Sequence, residues 1–127
     1  MDHADKLETV FAWQQKFNQK VREERNLDFD QSTWIQKMGL ALMVELGEVM
    51  EEAQYKWWKN AKPMDMAKLH EELVDVFHFF ISMCLDAGLD AQGLYNGYIE
   101  KNRENFRRQD GFSAKPGYAV SKPNSFE

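Results

Sequence analysis

Two acidic pairs, Glu45-Leu-Gly-Glu48 and Glu72-Leu-Val-Asp75, lie inside the most apolar helical stretches of the chain. On a helix, i, i+3 spacing sends both carboxylates of a pair from one face, about one turn apart. Leu42, Val44, Leu46 and Val49 surround the first pair, and Leu73, Val74, Val76 and Phe77 the second. Four carboxylates gathered in such a setting repel one another, and each resists ionisation until a cation compensates it. One Glu-x-x-Glu is most often a solvated helix face. Two acidic pairs on successive apolar helices favour a metal site instead. Hard oxygen ligands suit Mg²⁺, with Mn²⁺ as the alternative, and leave room for water and substrate phosphates.

Helical spacing recurs along the rest of the chain and predicts an all-α fold of four to five helices. Asp5 is placed to cap a first helix whose stripe runs through Leu7, Val10, Phe11, Gln14, Phe17, Asn18 and Val21. Residues 23–30 read as a connection. A second helix, capped by Asp30 or Ser32, is expected over residues 34–59, about 40 Å long, until Pro63 breaks the chain. A third begins near Asp65 and ends before Gly88. Its residues 76–85 are apolar nearly all round, so it is either central in the domain or buried further by a partner subunit. Gly88 and Asp90 mark a turn and the next cap, and a fourth helix stops near Gly111. Residues 1–112 thus form one domain, and 113–127, with Pro116, Gly117 and Pro123, are expected as a poorly ordered tail.

A net charge of −5 argues against a nucleic-acid polymer or an anionic membrane as partner. It leaves a small phosphorylated substrate open, because a bound metal reverses the local sign. Cys84 is the only cysteine and sits in an apolar run, so a buried inert thiol and a cytoplasmic protein are inferred. The N-terminus lacks a basic region and an apolar signal core, and residues 76–85 are too short to span a bilayer.

Four other groups carry chemistry. The adjacent tryptophans of Lys56-Trp57-Trp58-Lys59 point about 100° apart. One is therefore free to stack on a flat ligand such as a nucleobase, with lysines beside it for phosphate; the alternative is two packed tryptophans under snorkelling lysines. In the helix that ends Lys101-Asn-Arg-Glu-Asn-Phe-Arg-Arg-Gln109, Lys101, Asn102, Asn105 and Arg108 either hold phosphates or simply complement the helix dipole. His78, one turn after Asp75, is a satisfied core residue, or it orients a carboxylate or touches a sugar. Gln14 and Asn18 stand where apolar side chains are expected, as a border of the core or as ligand contacts.

Together, Trp34-Ile-Gln-Lys37, Val44-Glu-Leu-Gly-Glu48, Lys56-Trp-Trp-Lys59, Glu71-Glu-Leu-Val-Asp75-Val-Phe-His-Phe79 and the Lys101–Gln109 helix resemble the dimeric all-α dUTPases. Those enzymes stand with the MazG-like proteins in the all-α nucleoside triphosphate pyrophosphatase superfamily. The resemblance implies hydrolysis of dUTP to dUMP and pyrophosphate with Mg²⁺. Glu45, Glu48, Glu72 and Asp75 match its metal ligands, with Glu45 placed to activate the attacking water. Gln14 and Asn18 match positions that read the uracil edge. Trp57 or Trp58 would stack on the base, and Lys56, Lys59, Lys101, Asn102, Asn105 and Arg108 would hold phosphates or sugar. A homodimer is also implied, with further pairing of dimers left open. The competing readings are a compact MazG-like enzyme acting on another nucleoside triphosphate and a non-catalytic helical dimer that binds a cation or a partner protein.

Overall fold

The computed structural model describes residues 5–120 and is all-α. Its helices are α1 (Lys6–Glu24), α2 (Gln31–Glu52), α3 (Met66–Asp86) and α4 (Ala91–Asp110), with no strand among the described residues. Asp5, Asp30 and Asp65 cap the first three by accepting from first-turn amides: Leu7 at 2.8 Å, Thr33 at 2.8 Å and Lys68 at 3.1 Å. Each thereby satisfies a donor that has no partner within its helix. All four helices close by the same turn. One residue takes a positive φ and the next amide reaches back across the last turn, as in Leu89 to the Cys84 carbonyl and Phe112 to that of Arg107, both 2.8 Å. Gly88 and Gly111 supply that conformation without a Cβ penalty.

The second helix is shorter than its pattern predicts. It stops at Glu52, so 22 residues span about 33 Å, and Lys56, Trp57, Trp58 and Lys59 fall in the connection that follows. The stop comes from Gln54, at φ 59° with no glycine to make that easy. A non-glycine residue pays about 1–2 kcal/mol there. In return its side-chain amide grips the backbone of Lys62, accepting from the N–H at 3.0 Å and donating to the carbonyl. Tyr55 N–H closes the turn on the Met50 carbonyl at 3.2 Å.

α3 is the central element of the first three helices, which buries Ile81, Ser82 and Cys84 but leaves Leu73, Val74, Phe77 and Phe80 exposed. That position therefore accounts for only part of its all-round apolar surface. Along α2 the contacts run in opposite senses: Gly39 meets Met83, Glu45 meets Asp75, and Glu48 meets Glu72. These two helices are antiparallel. With α1 the partners advance together, Gln14 with His78, Asn18 with Ser82 and Arg22 with Asp86, each pair 64 residues apart. α1 and α3 are therefore parallel, with one polar tie per turn. Arg22 holds Asp86 with two nitrogens, at 2.9 and 3.0 Å, and lies 3.6 Å from the centre of the Trp34 ring. That two-pronged pair ties three helices at one end. Phe11, Val49, Ile81 and Cys84 are buried, and burial raises the Cys84 thiol pKa, as suits an inert cysteine.

The chain divides into two compact units after Ala91. In the second, residues beyond α4 fold back on that helix. Ser113 Oγ donates to Glu104 at 2.6 Å, beside Arg108, whose guanidinium lies 5.5 Å from the Tyr118 ring. Residues 121–127 of the expected tail lie outside the described residues. No helix among those described is long and apolar enough to cross a membrane.

Candidate active site

Antiparallel packing of α2 on α3 brings the two acidic pairs together. Glu45, Glu72 and Asp75 each offer one carboxylate oxygen within 4.8 Å of the others. Glu72 is only 4% exposed. One of its oxygens faces Lys68 Nζ at 3.4 Å. Its other oxygen, and one of Glu45, are buried with no hydrogen-bond partner among the described residues. Burial, then the charges of Asp75 and Glu72, raises the Glu45 pKa above the ordinary carboxylate value. Glu48 is exposed and stands outside that trio. Its pKa is raised too, first by a hydrogen bond shared with Glu72 and then by the charges of Glu45 and Glu72. Proton-hungry carboxylates with orphaned buried oxygens are a donor set that a hard divalent cation would satisfy.

The tryptophans stand apart from regular structure. Trp57 is 86% exposed, and its ring meets Trp58 edge to face at 5.5 Å. Lys56 is held by Glu51 at 2.8 Å. Trp57, Lys56 and Glu51, with Lys59, Asn60 and Lys62 but not Trp58, line a small open pocket in the connection.

A second recess runs between α1 and α3, a groove of about 520 Å³ walled by Trp13, Phe17, Val74 and Phe77. Its polar residues are Thr9 and the pair Gln14 and His78, joined at 2.8 Å. Gln14 in turn donates to Asn18 at 2.9 Å. So Gln14, Asn18 and His78 form one linked group. Sequence marks neither Trp13 nor the stripe residue Phe17 as a groove wall, since an apolar side chain carries no sign of what it lines. Ser82, the fourth member of the group, is silent in sequence and found only through its partner 64 residues away. Lys68 was legible in principle, being one helical turn before Glu72.

Lys101, Asn105 and Arg108 share one side of α4, with Asn102 beside them and donating to the Tyr98 hydroxyl at 3.4 Å. They belong to the second unit, where Arg108 is already engaged by Glu104 at 3.2 Å.

Comparison with known proteins adds to this geometry. A family model described as dUTPase matches residues 6–93, which include both acidic pairs and the tryptophans but stop short of Lys101. The chain is 32% identical to a dCTP pyrophosphatase of Enterobacteria phage T4 over 124 residues, covering 85% of this chain and 67% of that protein. It is 30% identical to a dCTP pyrophosphatase of Enterobacteria phage LZ5, covering 85% of this chain and 66% of that one. The chain thus spans about two thirds of the length of these relatives. No solved structure matches it.

Proposed function

Because the chain belongs to the dUTPase family, we propose that it is a Mg²⁺-dependent nucleoside triphosphate pyrophosphohydrolase that converts dUTP and water to dUMP and pyrophosphate. The observation that carries this reading is the carboxylate cluster, with two buried oxygens left without partners. Solvated surface acids would have no such oxygens.

Glu45, Glu72 and Asp75 would hold the ion, and Mn²⁺ fits the same donor set. When bound, the ion offsets the negative charge that builds on the phosphate oxygens. The resemblance gives the activation of the attacking water to Glu45; because Glu45 belongs to the ion-holding trio, Glu48, exposed and beside Glu72, would take that proton instead. Lys56 and Lys59 supply positive charge for the phosphates, and Trp57 or Trp58 a face for the base. Lys101, Asn102, Asn105 and Arg108 belong to the second unit, and their part in holding phosphate or sugar rests on the family resemblance alone. The groove wall of Gln14 and His78, with Asn18 behind it, reads the base edge.

Cytosine is the competing base, because the phage relatives are dCTP pyrophosphatases. A homodimer accompanies this reading. Leu40, Met43 and Val44 are exposed along one side of α2, and Gly47 on the same stripe has open space above it.

The experiment is pyrophosphate release across dUTP and the four standard dNTPs. Release should require a divalent ion. Glu48→Gln and Asp75→Asn should each lower kcat by about a hundredfold or more while leaving helix content unchanged. Full turnover in excess chelator would end the mechanism, and a purine nucleotide outranking both pyrimidines would end the base assignment.

A further inference from the structure

Between α1 and α3 runs a chain of four polar side chains whose direction is set at one end. Ser82 is 2% exposed. Its hydroxyl donates to the His78 carbonyl at 2.9 Å, and that carbonyl has no proton to give in return. Only lone pairs of the hydroxyl remain, and they accept from Asn18 Nδ2 at 3.1 Å. An inverted Asn18 amide would set two acceptors against each other. Asn18 Oδ1 must therefore face Gln14 Nε2, at 2.9 Å, which turns Gln14 Oε1 toward His78 Nδ1, at 2.8 Å. Since Oε1 carries no proton, Nδ1 must. The neutral ring is left with Nε2 as an acceptor.

Were the Ser82 hydroxyl to donate to Asn18 instead, every step would reverse. Both amides would invert, and the imidazole proton would move to Nε2. Gln14 and His78 both line the groove, so this direction fixes where the wall donates and where it accepts. Uracil and cytosine differ in that respect. Uracil presents an N–H beside a carbonyl, and cytosine a bare nitrogen beside an amine.

We propose that Ser82 is a positioning residue that sets the polarity of the Gln14–His78 wall and thereby which pyrimidine edge the groove accepts. The inference rests on the reading that this wall meets the base. Its first test does not need activity. Nitrogen-15 NMR of the metal-free chain, above the histidine titration range, reports which imidazole nitrogen of His78 carries the proton. Wild type should be the Nδ1–H tautomer, and Ser82→Ala a mixture. Ser82→Thr keeps a hydroxyl and should keep the tautomer. Asn18→Asp in the Ser82→Ala background should restore it, because a carboxylate accepts through either oxygen and needs no hydroxyl to orient it.

The second test is the ratio of kcat/KM for dUTP and dCTP, which Ser82→Ala should move toward unity by about tenfold. An Nε2–H tautomer in wild type would overturn the proposal, as would an unchanged Nδ1–H tautomer in Ser82→Ala. A shifted tautomer with an unmoved ratio would overturn the role in base choice and show that the base lies elsewhere. Hydrolysis of neither pyrimidine by wild type would defeat the functional reading, and the tautomer data would separate that failure from a wrong hydrogen-bond direction.

Discussion

Glu45 and Glu48 bind protons more readily in the folded chain than when unfolded. The stability they contribute is therefore full below the ordinary glutamate value, about 4.3, and is lost as pH rises through their raised values. Asp30, with its pKa lowered by its bonds to Thr33, works in the opposite sense. The informative quantity is therefore a difference between variants. Without divalent ions, Glu48→Gln should lose less melting temperature than wild type as pH climbs through that range, and Mg²⁺ should remove most of the gap. Identical pH slopes for the two proteins would refute the shared-proton picture. Ile81 tests the core in the same way. It is 0% exposed, and Ile81→Ala should cost about 2–5 kcal/mol through lost burial and a cavity, read as a lower urea midpoint.

The connection after α2 depends on one amide. Gln54→Ala removes both bonds to Lys62 and keeps an unfavourable φ, whereas Gln54→Gly removes the bonds but relieves the backbone. The alanine variant should therefore be the less stable of the two, by about 1 kcal/mol. Both should be cut faster by protease between residues 53 and 65. If this connection meets the nucleotide, KM should rise more than kcat falls. A loop equally resistant in all three proteins would mean that the clamp does not hold it. Nothing in the run Gln54-Tyr-Lys-Trp-Trp-Lys59 says that a helix must stop, because it has no glycine or proline and glutamine is a good helix former. The stop follows from a hydrogen bond to a residue beyond the turn.

A protomer with four helices leaves much apolar surface in water. Leu40, Met43, Val44, Phe106 and Trp57 are all exposed. The stripe on α2 predicts association, so light scattering at micromolar concentration should give about twice 15.0 kDa. Leu40→Glu, which places charge in that stripe away from the helical neighbours of Glu45 and Glu48, should shift the protein toward monomer. A monomeric wild type would contradict the homodimer.

The features readable from the chain are those carried by near neighbours. Aspartate caps, the Gly88 and Gly111 stops, and the paired carboxylates all depend on residues within about a turn of one another. The central place of α3 was legible as one of two options, and Leu73, Val74, Phe77 and Phe80, still exposed there, keep the other, burial by a partner subunit, in play. That the two acidic pairs meet was legible from their spacing on successive helices. That Glu45 rather than Glu48 lies close to both Glu72 and Asp75 was not, because it depends on how α2 slides along α3, and that register leaves no periodic mark. The same is true of Ser82. A serine amid apolar residues looks like a small core residue until α1, packed parallel, sets Asn18 against it. Helix formation follows from local pattern. The hydrogen-bond partners of a buried hydroxyl or amide follow from the packing of distant helices, which local pattern does not encode.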